Sequence, residues 1–439
     1  MQSVLNETTI NEYYEWAWMT ANATNLGETI GPIYEKAINH CLDGNELEAR
    51  QDLLYEKVVL PLQELYCAYK DDWDIQENPI QDPTAQETQQ PKQVSFRLTG
   101  RPQFSIAIFC ALPLEATAVN DIFDDVWNEE RENSWRSAGD ENTYTFGRIV
   151  CYNVVLVHMG DMGKNAASQA TAGIKASYPE IKLALIVGIC GGVPTYSTAD
   201  KDEMILGDIV ISDGIVRYDF GKQFPDTYMS RAAPEVVALP NHRVRGILAK
   251  LKGERVKERM ERRISQHVQA LQDELGTRGS VYVGTDRDEL FHPSYPHKHQ
   301  DPDVCAVCNI KGSERVCEKA RTMSCDELGC EKSSLTPRKR LYEASMGGCT
   351  PKPKIHFGHV GSGDTVMKSG QHRDKTASPW KLVAFEMEAS GVWDMLPCLV
   401  IKGVCDYSDS HKNKSWQEYA ATTAAACVRA VLEEYVIAQ

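Results

Sequence analysis

The chain has 439 residues, enough for two or three domains with a sizeable core. Its 47 Lys and Arg against 62 Asp and Glu give a formal net charge of -15, which repels phosphate backbones and anionic membrane surfaces, so neither nucleic acid nor membrane is expected as a partner. Residues Met1 to Asn6 lack a basic segment leading into an apolar core, no apolar run is long enough to span a bilayer, and fourteen cysteines without a secretory signal read as thiols of a reducing compartment; a soluble cytoplasmic protein is expected.

Residues 1–75 read as a helical accessory segment: Trp16, Trp18, Ile30, Ile33, Tyr34, Ala37, Ile38, Leu53, Leu54, Val58, Leu60, Leu62 and Leu65 fall near helical spacing, and Pro61 kinks or restarts the last helix. This segment is either a docking module or an extension packed on the main domain. Residues 76–102, rich in Gln, Pro, Asp and Thr, cannot bury enough apolar surface to order themselves and read as a linker. The main domain is assigned to 103–439. Expected strands are Phe104 to Cys110, Tyr144 to Ile149, Asn153 to Met159, Leu183 to Gly188, Ile209 to Val216, Ser280 to Gly284, Ile355 to Gly361 and Leu399 to Val404. Helices are expected from Pro113, after Gly163, near Glu386 and near Ser415. Apolar strands separated by helices imply an α/β fold with a central sheet covered on both faces. Two stretches interrupt the plan: a charged helical excursion from Arg243 to Arg278, read as a solvated face, and a loop-like insertion at 286–354.

Four segments carry a specific signal: Val187-Gly188-Ile189-Cys190-Gly191-Gly192-Val193-Pro194, Leu206-Gly207-Asp208-Ile209-Val210-Ile211-Ser212-Asp213, Phe385-Glu386-Met387-Glu388-Ala389-Ser390-Gly391 and Gly403-Val404-Cys405-Asp406-Tyr407-Ser408-Asp409. With Ser362-Gly363-Asp364 they resemble, in matching order, the nucleoside phosphorylase superfamily. By motif the resemblance is to methylthioadenosine and S-adenosylhomocysteine nucleosidases, and in wording to fungal phosphorylase-like domains. It covers Phe104 to about Ala438 and implies a three-layer fold with a mixed central sheet flanked by helices. It further implies cleavage of the bond between a purine and ribose, a small-molecule nucleoside or nucleotide as partner, no catalytic cofactor, and a homo-oligomer.

That chemistry passes through a cation-like ribose, and the base leaves readily only when its ring nitrogen is protonated. The resemblance makes Asp406 the acid facing purine N7, held protonated by burial near the base or another carboxylate; the plain alternative is a turn or cap residue. It makes Glu388 the acceptor of the ribose hydroxyls beside the forming cation, with Met387 packed on the sugar and Glu386 a weaker candidate at a solvent-facing helix start. An ordinary amphipathic helix is the alternative for that trio. It makes Glu115 the carboxylate that activates water, against a simple helix-dipole role. Gly191, Gly192 and Ser362 are assigned to substrate binding.

The nucleophile separates hydrolysis from phosphorolysis. Glu115 disfavours a phosphate dianion nearby, yet Gly163 and Lys164 open a helix and can offer an anion N–H groups and an ammonium; with Arg217 and Lys222 they can instead hold a nucleotide's phosphates. Both readings stay open, as does a sensing or effector module of a signalling assembly. In the insertion, Cys305 and Cys308 stand at C-x2-C spacing, and Cys325 with Cys330 can complete one tetrahedral structural zinc site. Free thiols in a flexible loop are the alternative, and His292, His297 and His299 lie just upstream.

Overall fold

The computed structural model describes residues 103–127, 135–194, 203–226, 228–231, 236–275, 281–301, 303–310 and 315–435. All fall in the second of two compact units, Val94–Gln439. The expected helical segment 1–75 and linker 76–102 lie outside the described residues.

The strands are β1 (Ile106–Cys110), β2 (Asp125–Val126), β3 (Thr143–Ile149), β4 (Tyr152–His158), β5 (Leu183–Gly192), β6 (Ile209–Val216), β7 (Gly221–Gln223), β8 (Tyr228–Ser230), β9 (Val237–Ala238), β10 (Ile355–Ser362), β11 (Leu382–Glu386) and β12 (Cys398–Asp406). The helices are α1 (Pro113–Asn120), α2 (Lys164–Ser177), α3 (His242–Leu251), α4 (Glu254–Leu275), α5 (Cys325–Leu328), α6 (Lys339–Gly347), α7 (Gly370–Ala377), α8 (Ala389–Val392) and α9 (Gln417–Glu434). The main sheet runs β11-β10-β6-β12-β5-β1-β4-β3-β2, and an extra β11–β5 pairing closes β5, β12, β6, β10 and β11 into a ring. Strands β4, β1, β5 and β12 are parallel, as are β6, β10 and β11, and the two sets meet antiparallel, so the sheet is mixed.

Alternation along the strands builds three layers. Ile106, Ile108, Leu183, Leu185, Leu399 and Ile401 bury into one core with residues of α1, α3, α4 and α9. Their neighbours Ala107, Phe109, Ala184, Ile186, Cys398 and Val400 bury on the opposite face with α2 and α8. Side chains two apart share a face of a strand, so near-continuous apolar runs of this kind need helices on both sides. Each of the Leu, Ile, Val and Phe side chains among them, fully buried, stabilises the fold by about 1.5–3 kcal/mol.

The structure departs from the sequence reading at four places. Residues 281–284 are irregular rather than strand. The excursion is helical, as α3 and α4, but its apolar stripe Met260, Ile264, Val268 and Leu271 joins the core, and Arg263 is buried against Glu433 and Glu434; helical spacing of apolar residues outweighs the local charge density. Glu386 ends a buried strand, with α8 starting only at Ala389. The insertion contains α5 and α6 and is anchored by arginines: Arg338 pairs with Glu203 at 3.1 Å, and the Arg340 guanidinium grips Asp208.

Asp208 is fully buried and also takes His356 Nε2 at 2.8 Å and the backbone N–H groups of Ile205 and Lys354. Burial by itself would push its carboxyl up, but the Arg340 charge and the His356 contact outweigh this and hold it far below the ordinary carboxylate range. A depressed folded value contributes stability that is present above the unfolded value, near 4, and is lost as the pH falls towards the folded one. The stability gap between wild type and Asp208→Asn, followed by urea unfolding, should therefore be widest near neutrality and narrow as pH drops from 5 to 2; a gap constant over that range would contradict the assignment.

Candidate active site

Gly191 is where the site is assembled. It pairs with Asp406 at the end of β12 and with Phe385 on β11, so the acidic residues that follow Phe385 are brought beside Asp406. A Cβ on Gly191 would lie 2.8 Å from Asp406 Oδ1 and 2.1 Å from Ser408 Oγ, so only glycine lets the two strand ends approach this closely. Three residues earlier, a Cβ on Gly188 would fall 2.0 Å from Glu115 Oε1. One strand end thus touches carboxylates from α1 and β12 and pairs with the backbone of β11.

Glu115, in the first turn of α1, is buried. Its Oε2 accepts from the N–H groups of Ala111 (3.0 Å) and Leu112 (2.9 Å), and its Oε1 from Ile189 N–H (2.8 Å). The capping and functional readings are therefore compatible, because an ionised carboxylate offers about four lone-pair sites and three are used. Burial raises its pKa, the Lys402 ammonium lowers it and the Glu388 charge raises it, for a net upward shift.

Glu388 caps α8 and is also buried. Its Oε2 accepts from Lys402 Nζ at 2.9 Å, while Oε1 has only a long contact, 3.5 Å, to Gly163 N–H. Glu386 points into the protein, accepting from the N–H groups of Glu388 (2.9 Å) and Ala389 (2.9 Å). Burial, with the Glu388 charge next, pushes its pKa up to about 7. It shapes the turn that presents Glu388 instead of facing solvent, because the strand runs on to residue 386. Met387 is half-buried between the two acids.

Asp406 is buried; Oδ1 accepts from Ser408 N–H at 2.8 Å and Oδ2 lies 2.9 Å from Lys412 Nζ. Of the two surroundings expected for Asp406, burial near the base or another carboxylate, the side chain is buried, and its charged contact is the Lys412 ammonium. Asp409 takes the N–H of His411 at 2.9 Å and so holds the loop.

Two lysines escaped the sequence reading. Lys402, 1 % exposed, is the one charged side chain within the otherwise apolar and glycine run of β12 before Asp406. Burial lowers its pKa, but the charges of Glu388, Glu115 and Glu386 raise it more, and it stays an ammonium beneath the carboxylates. A lysine inside such a run was the available signal. Lys412 gave none, since it lies in a polar loop.

Residues 105–265 match the model described as the phosphorylase superfamily. Over that stretch the α/β domain is similar to the phosphorylase superfamily. A nucleotide-binding leucine-rich repeat (NLR)-like protein of Hyaloscypha variabilis is 28% identical over 340 residues, which are 75% of this chain and 29% of that protein. The chain therefore spans under a third of the length of that relative. Among solved structures, a 5'-methylthioadenosine/S-adenosylhomocysteine nucleosidase from Neisseria meningitidis in complex with methylthio-immucillin-A aligns with TM-score 0.42 and 15% identity, covering 75% of this chain and 99% of that one. Futalosine hydrolase of Helicobacter pylori aligns with TM-score 0.40 and 14% identity over 76% and 99%.

Of the residues expected to seat an anion, Lys164 and Arg217 are already paired with acids. Lys164 Nζ pairs with Asp219 at 2.7 Å and Asp364 at 3.3 Å, and its N–H donates to Asp364 Oδ1 at 3.0 Å. Arg217 pairs with Asp394 at 2.5 Å, and Lys222 is exposed on β7. Ser362 is buried and bonded to Ser390, its Oγ donating to Ser390 Oγ (3.1 Å) and accepting from Ser390 N–H (3.0 Å). Gly192 packs near Met204 and Val404 and Gly163 starts α2 with φ +100°. The anion cradle read from the sequence is filled by the chain's own acids, which spacing alone does not reveal.

The four cysteines assigned to one metal site are also corrected. Among the described residues they do not form one group: Cys305 and Cys308 meet Cys317 and His299, whereas Cys325 and Cys330 meet His297 and His411. Spacing identified thiols close in sequence but not the imidazoles that join each pair. Among the described residues no helix is long and apolar enough to cross a membrane.

Proposed function

We propose that the domain hydrolyses the N-glycosidic bond of a purine nucleoside or nucleotide of the adenine type. The observation that carries this reading is the meeting of Glu115, Glu388 and Asp406 around the end of β5, where Gly191 pairs with both β11 and β12. Glu388, with Oε2 held by Lys402, has Oε1 available for the ribose hydroxyls, and its charge stabilises the ribosyl cation as it forms. Met387 packs on the sugar. Asp406 faces the base, and a proton supplied from the Asp406–Lys412 pair reaches N7 as the bond to the sugar breaks. The remaining lone pair of Glu115 takes a proton from the water that attacks the anomeric carbon. Water rather than phosphate is favoured because the ammonium and the N–H of Lys164, at the start of α2, are paired with Asp219 and Asp364.

The test is release of free base from a panel of purine nucleosides and their 5'-phosphates, followed by chromatography with and without phosphate. Base is expected from adenosine-type substrates in phosphate-free buffer. No base under either condition would end the enzymatic reading, and release only with phosphate would make the domain a phosphorylase. The NLR-like relative, of which this chain spans 29%, favours a second reading in which the same cluster of acids serves a signalling protein by sensing a nucleotide; binding without turnover would select it.

A further inference from the structure

From His297 to Cys330 the buried apolar side chains, among the described residues, are Cys308, Ala320 and Leu328. So small a core does not offset the entropy of ordering a segment of this length. The same segment nevertheless gathers two four-residue groups of thiols and imidazoles, each with ligand atoms within 4.8 Å of one another.

In the group of His297, Cys325, Cys330 and His411, the separations are 3.3 Å between the two Nδ1 atoms, 3.7 and 3.5 Å from Cys325 Sγ to them, and 3.8 Å from Cys330 Sγ to His297 Nδ1. Ligands about 2.0–2.3 Å from a tetrahedral zinc ion stand roughly 3.3–3.8 Å apart. The hydrogen bonds point the same way. His297 Nε2 donates to the Met323 carbonyl at 2.9 Å and His411 Nε2 to the Tyr295 carbonyl at 3.1 Å. A carbonyl only accepts, so each ring carries its proton on Nε2 and turns an Nδ1 lone pair towards the other ring. Two lone pairs facing each other beside two sulfurs are repulsive unless a cation lies between them, and carbonyl-anchored imidazoles are the usual outer support of such a site. In the other group, His299 Nδ1 lies 3.6 Å from both Cys308 Sγ and Cys317 Sγ, with Cys305 completing the set.

We propose that the insertion binds two structural zinc ions, one at His299, Cys305, Cys308 and Cys317 and one at His297, Cys325, Cys330 and His411, and that the second ties the insertion to the loop that follows Asp406. Mixed sulfur and nitrogen donors select zinc over magnesium or calcium, and four protein ligands leave no open position for catalysis. Each coordinating thiol releases its proton to solvent as the metal binds. The tie follows from His411: it lies beyond β12, next to Lys412, whose Nζ contacts Asp406, and its ring stacks on Phe291 of the insertion at 4.1 Å.

Elemental analysis of the purified full-length chain after removal of loose metal should find about two zinc ions per chain, one for each ligand set. Cys308→Ser and Cys325→Ser should each lower the count by about one. A folded wild type without zinc, or a count that neither variant changes, overturns the proposal. Should the variants not fold, titration of the metal-stripped wild type with cobalt(II) keeps it testable: tetrahedral thiolate bands saturating at two equivalents support it, and their absence overturns it. The tie has its own arm, which rests on the glycosidic reading: His411→Ala should lower base release about 10–100-fold, while Cys308→Ser leaves it nearly unchanged. Equal rates in the two variants would refute the tie, whereas two zinc ions in a protein that releases no base would refute the glycosidic reading and leave the metal sites standing.

Discussion

Asp406→Asn should lower turnover of adenosine-type substrates by about a hundredfold to ten-thousandfold, the range for loss of a positioned general acid. The asparagine still accepts from Ser408 N–H through the oxygen at the Oδ1 position but no longer carries a proton between Lys412 and the base. That loss corresponds to about 3–5 kcal/mol of transition-state stabilisation. A leaving group that needs no proton makes the decisive comparison. With a nitrophenyl riboside the same variant should lose little, because the bond then breaks without help to the departing group. Circular dichroism and zinc content should match wild type. Equal losses on both substrates would show that Asp406 holds the loop together and would remove it from the chemistry.

Lys402→Met should be the most destabilising single change at the site, by about 3–5 kcal/mol in urea unfolding at neutral pH, the usual cost of removing one partner from a buried ion pair. Lys402 lies beneath Glu388, at 2.9 Å, and its charge is felt by Glu115 and Glu386. Methionine fills much of the volume but leaves these acids without their counter-charge. The pH dependence follows from the same electrostatics. Acids whose folded pKa rises above the unfolded value contribute stability below the unfolded value and lose it as pH rises through the folded one. The deficit of Lys402→Met should therefore shrink from pH 8 to pH 5, as protonation removes the unpaired charge. Adding Glu388→Gln should restore part of the stability at neutral pH. A deficit independent of pH, or unaffected by the second substitution, would mean that Lys402 acts through packing alone.

The route from sequence to structure differs between the strands and the site. The apolar runs at Leu183 to Gly188 and Ile209 to Val216 were legible as buried strands because fully covered strands bury both faces and read as near-continuous apolar runs, interrupted in β6 by Ser212 and Asp213. Residues 281–284 look similar in composition yet form no strand, since the apolar content of a short run does not say whether a partner strand lies alongside. Glu386 was misplaced by the same limit. Where β11 ends and α8 begins depends on its pairing with Gly191 and on N–H groups captured by the Glu386 carboxylate, not on local propensity.

The sequence by itself determined an α/β domain with a covered sheet, the order of its motifs and the identity of the acids, because hydrophobic period and residue chemistry are written along the chain. Only the tertiary structure decided which acids meet, that Lys402 and Lys412 stand beside them, that Lys164 is spoken for by Asp219 and Asp364, and that the cysteines divide into two groups completed by histidines. Charges and ligands act over a few ångströms of space, and neighbours such as Cys325 and His411 are brought within that range by the folded sheet and its insertion, although the chain separates them by 86 residues.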